Sequence, residues 1–315
     1  MSLALESTNT RSRPRRATLP PAFEITGPPN APVVAVLGGI SSSRHVTSTE
    51  DDGSAGWWQD VVRADGLVDT LRCRVISIDY LGETAHGEPL RTTDQAGALA
   101  RALDAAGVDR LHALVGASYG GMVALAFGAA YPHRVGRLVV ISAAHASDPA
   151  ATALRVLQRR VVQLGIAGGR PAEAVSIARG IAVTSYGTPA EFRARFAGDE
   201  LQDGAMYRKI EAHLLAAGER FARTCSPARF LALSRSLDLH FVRPEDVRVP
   251  TTLVSVREDQ LVPPAQAREL AARLGAPCTL VELESIHGHD AFLNDSSLLA
   301  PVFAAALSTL SGSIS

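Results

Sequence analysis

Short runs rich in β-branched residues alternate with helical segments in the first half of the chain, and this alternation limits the fold more than any other feature. Helical segments are predicted at 92–107 and 120–131. Buried parallel strands form continuous apolar runs, and helices are needed to connect them. We therefore predict an α/β fold, with a mostly parallel central sheet and helices on both faces. The strand-like runs lie at 31–39, 73–82, 109–118 and 136–144.

The pattern changes near residue 149, where helical segments separated by Gly, Pro and Asp follow one another without a strand between them. These segments are 149–164, 171–184, 189–197, 205–223 and 226–237. Strands return at 249–259 and 278–285, around a helix at 264–274, and a last helix is predicted near 297–310. We divide the chain into a flexible N-terminal tail (1–20), an α/β core (21–148 and 241–315) and a helical lid insertion (149–240).

The charge balance excludes several classes of partner. A formal net charge of -1 over 315 residues attracts neither nucleic acid nor an anionic membrane. The three cysteines, Cys73, Cys225 and Cys278, are odd in number and scattered, which fits neither a disulfide framework nor a metal site. No run is long and apolar enough to span a bilayer. We expect a cytoplasmic protein that binds small molecules or another copy of itself, with no metal.

The stretch "GASYGG" at 116–121 places Ser118 in G-x-S-x-G spacing, between a strand and a helix. A serine on such a sharp turn is a nucleophile elbow, where the flanking glycines avoid collisions with neighbouring backbone. The alternative is a simple glycine-rich turn. The strand before and the helix after favour the nucleophile.

An acid and a histidine should follow the nucleophile, each after a late strand. Asp259 ends one predicted strand and His289 follows the next, with Glu258 and His287 as alternatives that spacing alone does not exclude. An oxyanion hole needs two backbone N–H groups. We expect one from Tyr119, directly after the nucleophile, and the other from Ile40, in the loop after an early strand.

Further motifs occur along the chain: "AGWWQDVV", "ARGIAVTSY", "FLALSRSLDLHF", "DQLVPP" and "HGHDAFL". Together with the elbow, they resemble the homoserine O-acetyltransferase family of the α/β-hydrolase fold, and the resemblance covers roughly residues 31–303. The G-x-S-x-G pattern is common to the whole fold. The histidine loop together with the G-W-W segment is more specific.

The resemblance implies that Ser118 is the nucleophile, Asp259 the acid and His289 the base. It also implies that Arg179 and Tyr186, on one lid helix, contact the substrate, with Arg179 on the amino-acid carboxylate. Asp290 matches the acidic residue that receives the substrate ammonium. A zwitterion suits one fixed cation and one fixed anion. Asp290 has a plainer interpretation as the cap of a helix that begins at Ala291.

The implied reaction is acyl transfer from an acyl-CoA co-substrate to the hydroxyl of L-homoserine through a serine acyl-enzyme, a step of methionine biosynthesis. No bound cofactor is implied. Succinyl-using members of the family tend to carry Arg two residues after the acid, where this chain has Leu261, so we favour acetyl-CoA over succinyl-CoA. Family members commonly form homodimers through the lid helices, and residues 205–240 offer an apolar helical face.

Two departures from the family leave specificity open. The stretch 82–94 lacks the long loop usually found there, and Tyr119 replaces a methionine, which would place bulk beside the acyl pocket. Serine, one methylene shorter than homoserine, is therefore an alternative acceptor. An esterase or thioesterase on the same residues is an alternative reaction. A noncatalytic binding protein is disfavoured because none of the three catalytic residue types is missing.

Overall fold

The central sheet has seven strands, six of them parallel. A computed structural model describes residues 19–83, 88–197 and 205–307. The strands in chain order are β1 (Phe23–Thr26), β2 (Val33–Leu37), β3 (Val62–Arg63), β4 (Val68–Asp69), β5 (Arg74–Ile78), β6 (Ala113–Ala117), β7 (Leu138–Ile141), β8 (Thr251–Val256) and β9 (Cys278–Leu283). The order across the sheet is β1-β5-β2-β6-β7-β8-β9, and only β1 is antiparallel to its neighbour. The predicted mostly parallel α/β architecture is confirmed.

Both faces of the sheet are buried, as the continuous apolar runs predict. Along β2, Ala35 and Leu37 belong to the core on one face, whereas Val34 and Val36 belong to the core on the other. Helices cover each side because alternate side chains of a strand point in opposite directions.

Ten α-helices occur among the described residues. They are α1 (Thr92–Ala105), α2 (Tyr119–Ala130), α3 (Pro149–Ala167), α4 (Pro171–Tyr186), α5 (Pro189–Arg195), α6 (Ala205–Thr224), α7 (Pro227–Asp238), α8 (Pro264–Arg273), α9 (Ala291–Asn294) and α10 (Ala300–Ala306). Helices α1 and α2 pack on one face of the sheet, and α10 packs on the other. Within the described ranges, every helix is too short or too polar to cross a bilayer.

Helices α3 to α7 lie between β7 and β8, where the sequence predicts five helices without a strand. Proline begins α3, α4, α5 and α7, where its missing N–H costs no hydrogen bond. The side chains of Asp148, Thr188 and Ser226 cap α3, α5 and α7 by accepting backbone N–H bonds. Helix α4 lies between α3 and α6 and contacts both of them extensively.

Two strand pairings were not predicted from the sequence. Strand β1 pairs antiparallel with β5 at the edge of the sheet, and β3 and β4 form a small separate pair. The predicted tail at 1–20 lies almost wholly outside the described residues, and so does part of the 82–94 stretch.

Candidate active site

Ser118 lies on a sharp turn between β6 and α2, with backbone angles φ 55° and ψ -121°. Few L-residues adopt this conformation. A Cβ at Gly116 would lie 2.3 Å from the Gly120 carbonyl oxygen, and one at Gly120 would lie 2.2 Å from the Leu37 carbonyl oxygen. The two glycines therefore permit the close approach of backbone that the turn requires.

Ser118, His289 and Asp259 form a continuous hydrogen-bonded row. The distance from His289 Nδ1 to Asp259 Oδ2 is 2.8 Å, and the distance from His289 Nε2 to Ser118 Oγ is also 2.8 Å. An ionised carboxylate only accepts hydrogen bonds, so Nδ1 carries a proton and donates a hydrogen bond to Asp259. Nε2 is then free to accept the hydroxyl proton of Ser118.

The surroundings of His289 favour its role as an acceptor of protons. Burial alone lowers the pKa of His289, but the charge of Asp259 and its hydrogen bond together outweigh that effect, so the pKa lies above the usual 6.5. Asp259 is itself fixed, because its Oδ1 accepts the backbone N–H groups of Leu261 and Val262 at 2.9 Å and 3.0 Å. The row therefore has a held acid, an oriented imidazole and, at its other end, a half-buried serine that lines the cavity above it.

The alternative residues Glu258 and His287 are engaged elsewhere. The Glu258 carboxylate accepts the backbone N–H of Ser285 at 2.9 Å. The Nδ1 atom of His287 lies 3.4 Å from Glu191 on α5, and His287 is not among the residues that line the cavity above Ser118. Neither residue contacts the serine.

The loop after β2 places Ile40 at the wall of that cavity. The side chain of Tyr119 turns the other way: it is fully buried, and its hydroxyl hydrogen bonds to Ser236 Oγ on α7 at 2.7 Å. The expectation that the ring adds bulk beside the acyl pocket is therefore wrong, because the helical turn after the elbow carries it into the core.

A cavity of about 170 Å³ opens above Ser118, between the carboxyl ends of the strands and helices α3, α4 and α7. Arg179 and Tyr186 of α4 line it, and Arg179 Nη1 donates to the Tyr186 hydroxyl at 3.1 Å. The Arg179 guanidinium also lies over the ring of Phe221, 5.1 Å from its centroid. These contacts hold the guanidinium at the wall of the cavity.

Asp290 lines the same cavity, next to His289 in the chain. Burial raises the pKa of its carboxyl, and the positive charges of His289 and Arg179 offset only part of this rise. Although Asp290 occupies the backbone cap position of α9, its side chain makes no capping hydrogen bond. Its carboxylate is therefore available to the cavity, and no ion pair joins it to Arg179.

Several polar residues of this cavity were not predicted from the sequence, among them Arg155 and Gln158 on α3, and Ser142 directly after β7. Gln158 interrupts the buried stripe of α3 that Ala151 and Val162 continue. A polar residue within the apolar stripe of a helix is an informative signal in a sequence, and Gln158 provides such a signal in α3. Ser142 has a buried hydroxyl without a hydrogen-bond partner among the described residues, and its φ is 48°.

Comparison with known proteins places this geometry in a family. A family model described as the alpha/beta hydrolase fold matches residues 32–296. A homoserine O-succinyltransferase of Xanthomonas campestris pv. campestris is 40% identical over 289 residues, which cover 91% of this chain and 78% of that protein. The chain belongs to the homoserine O-acyltransferase family of this fold. It is an acyltransferase, and the resemblance that the sequence motifs indicated is confirmed.

Other members differ in the acyl group that they carry. A homoserine O-acetyltransferase of Thermus thermophilus is 32% identical over 319 residues, which cover 87% of this chain and 81% of that protein. The crystal structure of a homoserine O-acetyltransferase from Bacillus anthracis superposes with a TM-score of 0.80 at 18% identity, over 90% of this chain and 91% of that one. Family membership therefore leaves the donor, acetyl or succinyl, unresolved.

Proposed function

We propose that this acyltransferase moves an acyl group from an acyl-CoA to the hydroxyl of L-homoserine, through an ester on Ser118. One observation carries the proposal: Arg179 and Asp290 face the cavity above Ser118 without pairing with each other. A fixed cation and a fixed anion beside a nucleophile suit an amino-acid zwitterion. A simple esterase has no use for such a pair.

In the first half-reaction, Ser118 Oγ attacks the thioester carbonyl while His289 Nε2 takes the hydroxyl proton. The C–S bond breaks, and the CoA sulfur leaves with the proton that His289 returns. Backbone N–H groups of Tyr119 and Ile40 are our candidates for stabilising the negative charge on the carbonyl oxygen. Asp259 stabilises the imidazolium that forms between the two proton transfers.

In the second half-reaction, the homoserine hydroxyl gives its proton to His289 and attacks the ester carbonyl. The bond to Ser118 breaks, and the serine recovers its proton from the histidine. Arg179 would bind the amino-acid carboxylate, Tyr186 would hold that arginine in place, and Asp290 would receive the ammonium. These contacts would hold the acceptor hydroxyl over the ester. Holding the two reactants in the right orientation makes the step effectively unimolecular.

The helices over the cavity would act as the lid that keeps water from the acyl-enzyme. Water would hydrolyse the ester and turn the transferase into a thioesterase. Met122 and Leu154 line the cavity beside the polar groups and add apolar wall. A pocket largely closed by helices α3, α4 and α7 supports transfer over hydrolysis.

The test measures thiol release and O-acylhomoserine formation with acetyl-CoA or succinyl-CoA, each with L-homoserine, with L-serine and without an acceptor. We expect thiol release to require homoserine and to match product formation. Arg179→Met should raise the homoserine KM by about 100-fold, since a charge-assisted contact is lost. Ser118→Ala should abolish turnover. Equal thiol release without any acceptor would instead establish a thioesterase.

A further inference from the structure

The wall of the cavity contains a second arginine, Arg155 of α3, that the mechanism above does not use. Its Nε donates to Asp238 Oδ1 at 2.6 Å, and its Nη2 donates to Ser147 Oγ. The remaining nitrogen, Nη1, makes no hydrogen bond to a described residue. Arg155 therefore presents a fixed guanidinium to the cavity with one edge unused.

The positive charge of Arg155 is only partly neutralised. Asp238, at the end of α7, is shared with Arg159, whose Nη1 lies 2.5 Å from Asp238 Oδ2. All three side chains are at least 87% buried, so solvent screens them weakly. Two arginines on one carboxylate leave a surplus positive charge, and such a charge at a buried wall is stabilised when an anion binds beside it.

Gln158 adds hydrogen-bonding capacity at the same place. It lies one turn of α3 beyond Arg155 on the same face, lines the cavity and is 5% exposed. Its amide makes no hydrogen bond to a described residue. An amide that lines the cavity beside an arginine and has no protein partner is available to a polar ligand.

The reacting centre lies within electrostatic reach of this arginine, because the charge of Arg155 lowers the pKa of His289. Arg179 and Asp290 are already the natural partners of the amino-acid zwitterion. An anion that pairs with the surplus charge at Arg155 would then belong to the other substrate, near its acyl group.

We infer that Arg155, assisted by Gln158, binds the terminal carboxylate of a dicarboxylic acyl group carried on Ser118, so that succinyl-CoA is the donor. This inference rests on the proposed acyl transfer. It replaces the expectation of acetyl-CoA, which depended on Leu261 standing where a cation would otherwise enter the pocket from the acid loop. Here the cation enters from α3 instead. The surplus charge would disfavour an acetyl group, which leaves it unpaired.

The experiment compares the ratio of kcat/KM for succinyl-CoA to that for acetyl-CoA, with saturating L-homoserine, in the wild type and in variants of α3. Arg155→Met should lower the ratio by about 100-fold, since a charge-assisted contact is lost. Arg155→Lys keeps the charge but loses the planar fork, so a smaller fall is expected. Gln158→Leu should lower the ratio by about 10-fold.

Arg160→Met is the matched control, because Arg160 lies on the same helix but is exposed and, among the described residues, bonds only to Gln163. Its ratio should equal that of the wild type. Gln158 makes no bond within the described protein, so Gln158→Leu decides the matter if Arg155→Met fails to fold.

Three outcomes overturn the inference and leave acyl transfer intact: a wild type that prefers acetyl-CoA, an unchanged ratio in Arg155→Met and Gln158→Leu, or an equal loss with both donors. An equal loss would place Arg155 on the homoserine side or in support of the fold. Absence of transfer from either donor in the wild type would overturn the proposed function itself. A selective loss of succinyl transfer supports the inference.

Discussion

At the scale of single residues, the backbone of Ser118 departs most from ordinary geometry. Its φ of 55° lies in the region that favours glycine, and such conformations cost about 1–3 kcal/mol in other residues. The surrounding strand and helix hold the turn in place. The hydroxyl that we propose as the nucleophile is thus presented at the expense of local stability.

We predict that Ser118→Gly is more stable to unfolding than Ser118→Ala by about 1 kcal/mol, because glycine relieves the strained φ. At an unstrained helical or strand position, the order would be reversed by about 0.5–1 kcal/mol. Urea denaturation of both inactive variants measures the difference. An alanine variant of equal or greater stability would show that the turn is not strained.

The second residue-scale prediction concerns pH. His289 accepts a proton only when neutral, and its pKa is raised above 6.5, so kcat/KM should rise with pH through an apparent pKa above 6.5. Asp259→Asn removes the charge that raises this pKa. In this variant, kcat should fall by about 10⁴-fold. The remaining kcat/KM should still increase with pH, but the increase should occur at a lower pH than in the wild type. If the increase of kcat/KM occurs at the same pH in the variant as in the wild type, a group other than His289 controls it.

Chain order alone predicted that Ser118, Asp259 and His289 lie close together, because each follows a recognisable strand. The choice of Asp259 and His289 over Glu258 and His287 came from the family resemblance. Parallel strands bring their carboxyl ends to one edge, so chain order predicts spatial proximity. Arg155 lies on a helix whose rotation over the cavity depends on packing between helices. Tyr119 points away because the first turn of α2 dictates its direction. Neither orientation is encoded in local spacing.

At the scale of elements, helix α4 is held by close approaches to both neighbours. A Cβ at Gly165 of α3 would lie 2.1 Å from Ala174 Cβ, and one at Gly218 of α6 would lie 2.4 Å from the Ser176 carbonyl oxygen. Because α4 also carries Arg179, the packing of two helices sets the position of the charge that we propose binds the substrate carboxylate.

Two glycines of the α4–α6 contact should respond in opposite ways to alanine. A Cβ at Gly180 has its nearest neighbour at 3.8 Å, so Gly180→Ala should gain up to about 1 kcal/mol from helix propensity. Gly218→Ala should lose about 1–3 kcal/mol by overpacking, and it should raise the homoserine KM as α4 shifts. Thermal melting and steady-state kinetics measure the two effects. Equal behaviour of the pair would contradict the close packing.

Three short strands escaped prediction for a physical reason. Strand β1 has the sequence FEIT, and all four of its residues are only half-buried. It lies at the edge of the sheet, where it pairs with a single neighbouring strand. The pair β3 and β4 has two residues in each strand. Periodicity needs longer segments to separate a strand from a loop. The buried strands and the helices that begin with proline offered that length.

At the scale of the whole molecule, the sheet order gathers the candidate site residues from four distant parts of the chain. Strand β6 contributes the serine, β8 the acid, and the loop after β9 the histidine, while α3 and α4 close the cavity from above. Apolar side chains remain exposed on the outer helices α3 and α6. Leu164 of α3 is 67% exposed, and Leu215 of α6 is 51% exposed.

We predict a homodimer formed through these outer helices, since exposed apolar surface of this kind favours association. Leu164→Glu and Leu215→Glu should shift the protein toward a monomer in light scattering. Leu71→Glu is the control, because Leu71 is 60% exposed in the loop after β4, away from these helices. A monomeric wild type, or a control that dissociates equally, would contradict the assignment.

The hydrogen bond between Ser118 and His289 spans 171 positions of the chain. During synthesis, the elbow and all five helices between β7 and β8 therefore leave the ribosome before the base that activates the serine exists. The hydroxyl of Ser118 therefore gains its hydrogen-bond partner only when β9 and the loop that carries His289 have been added.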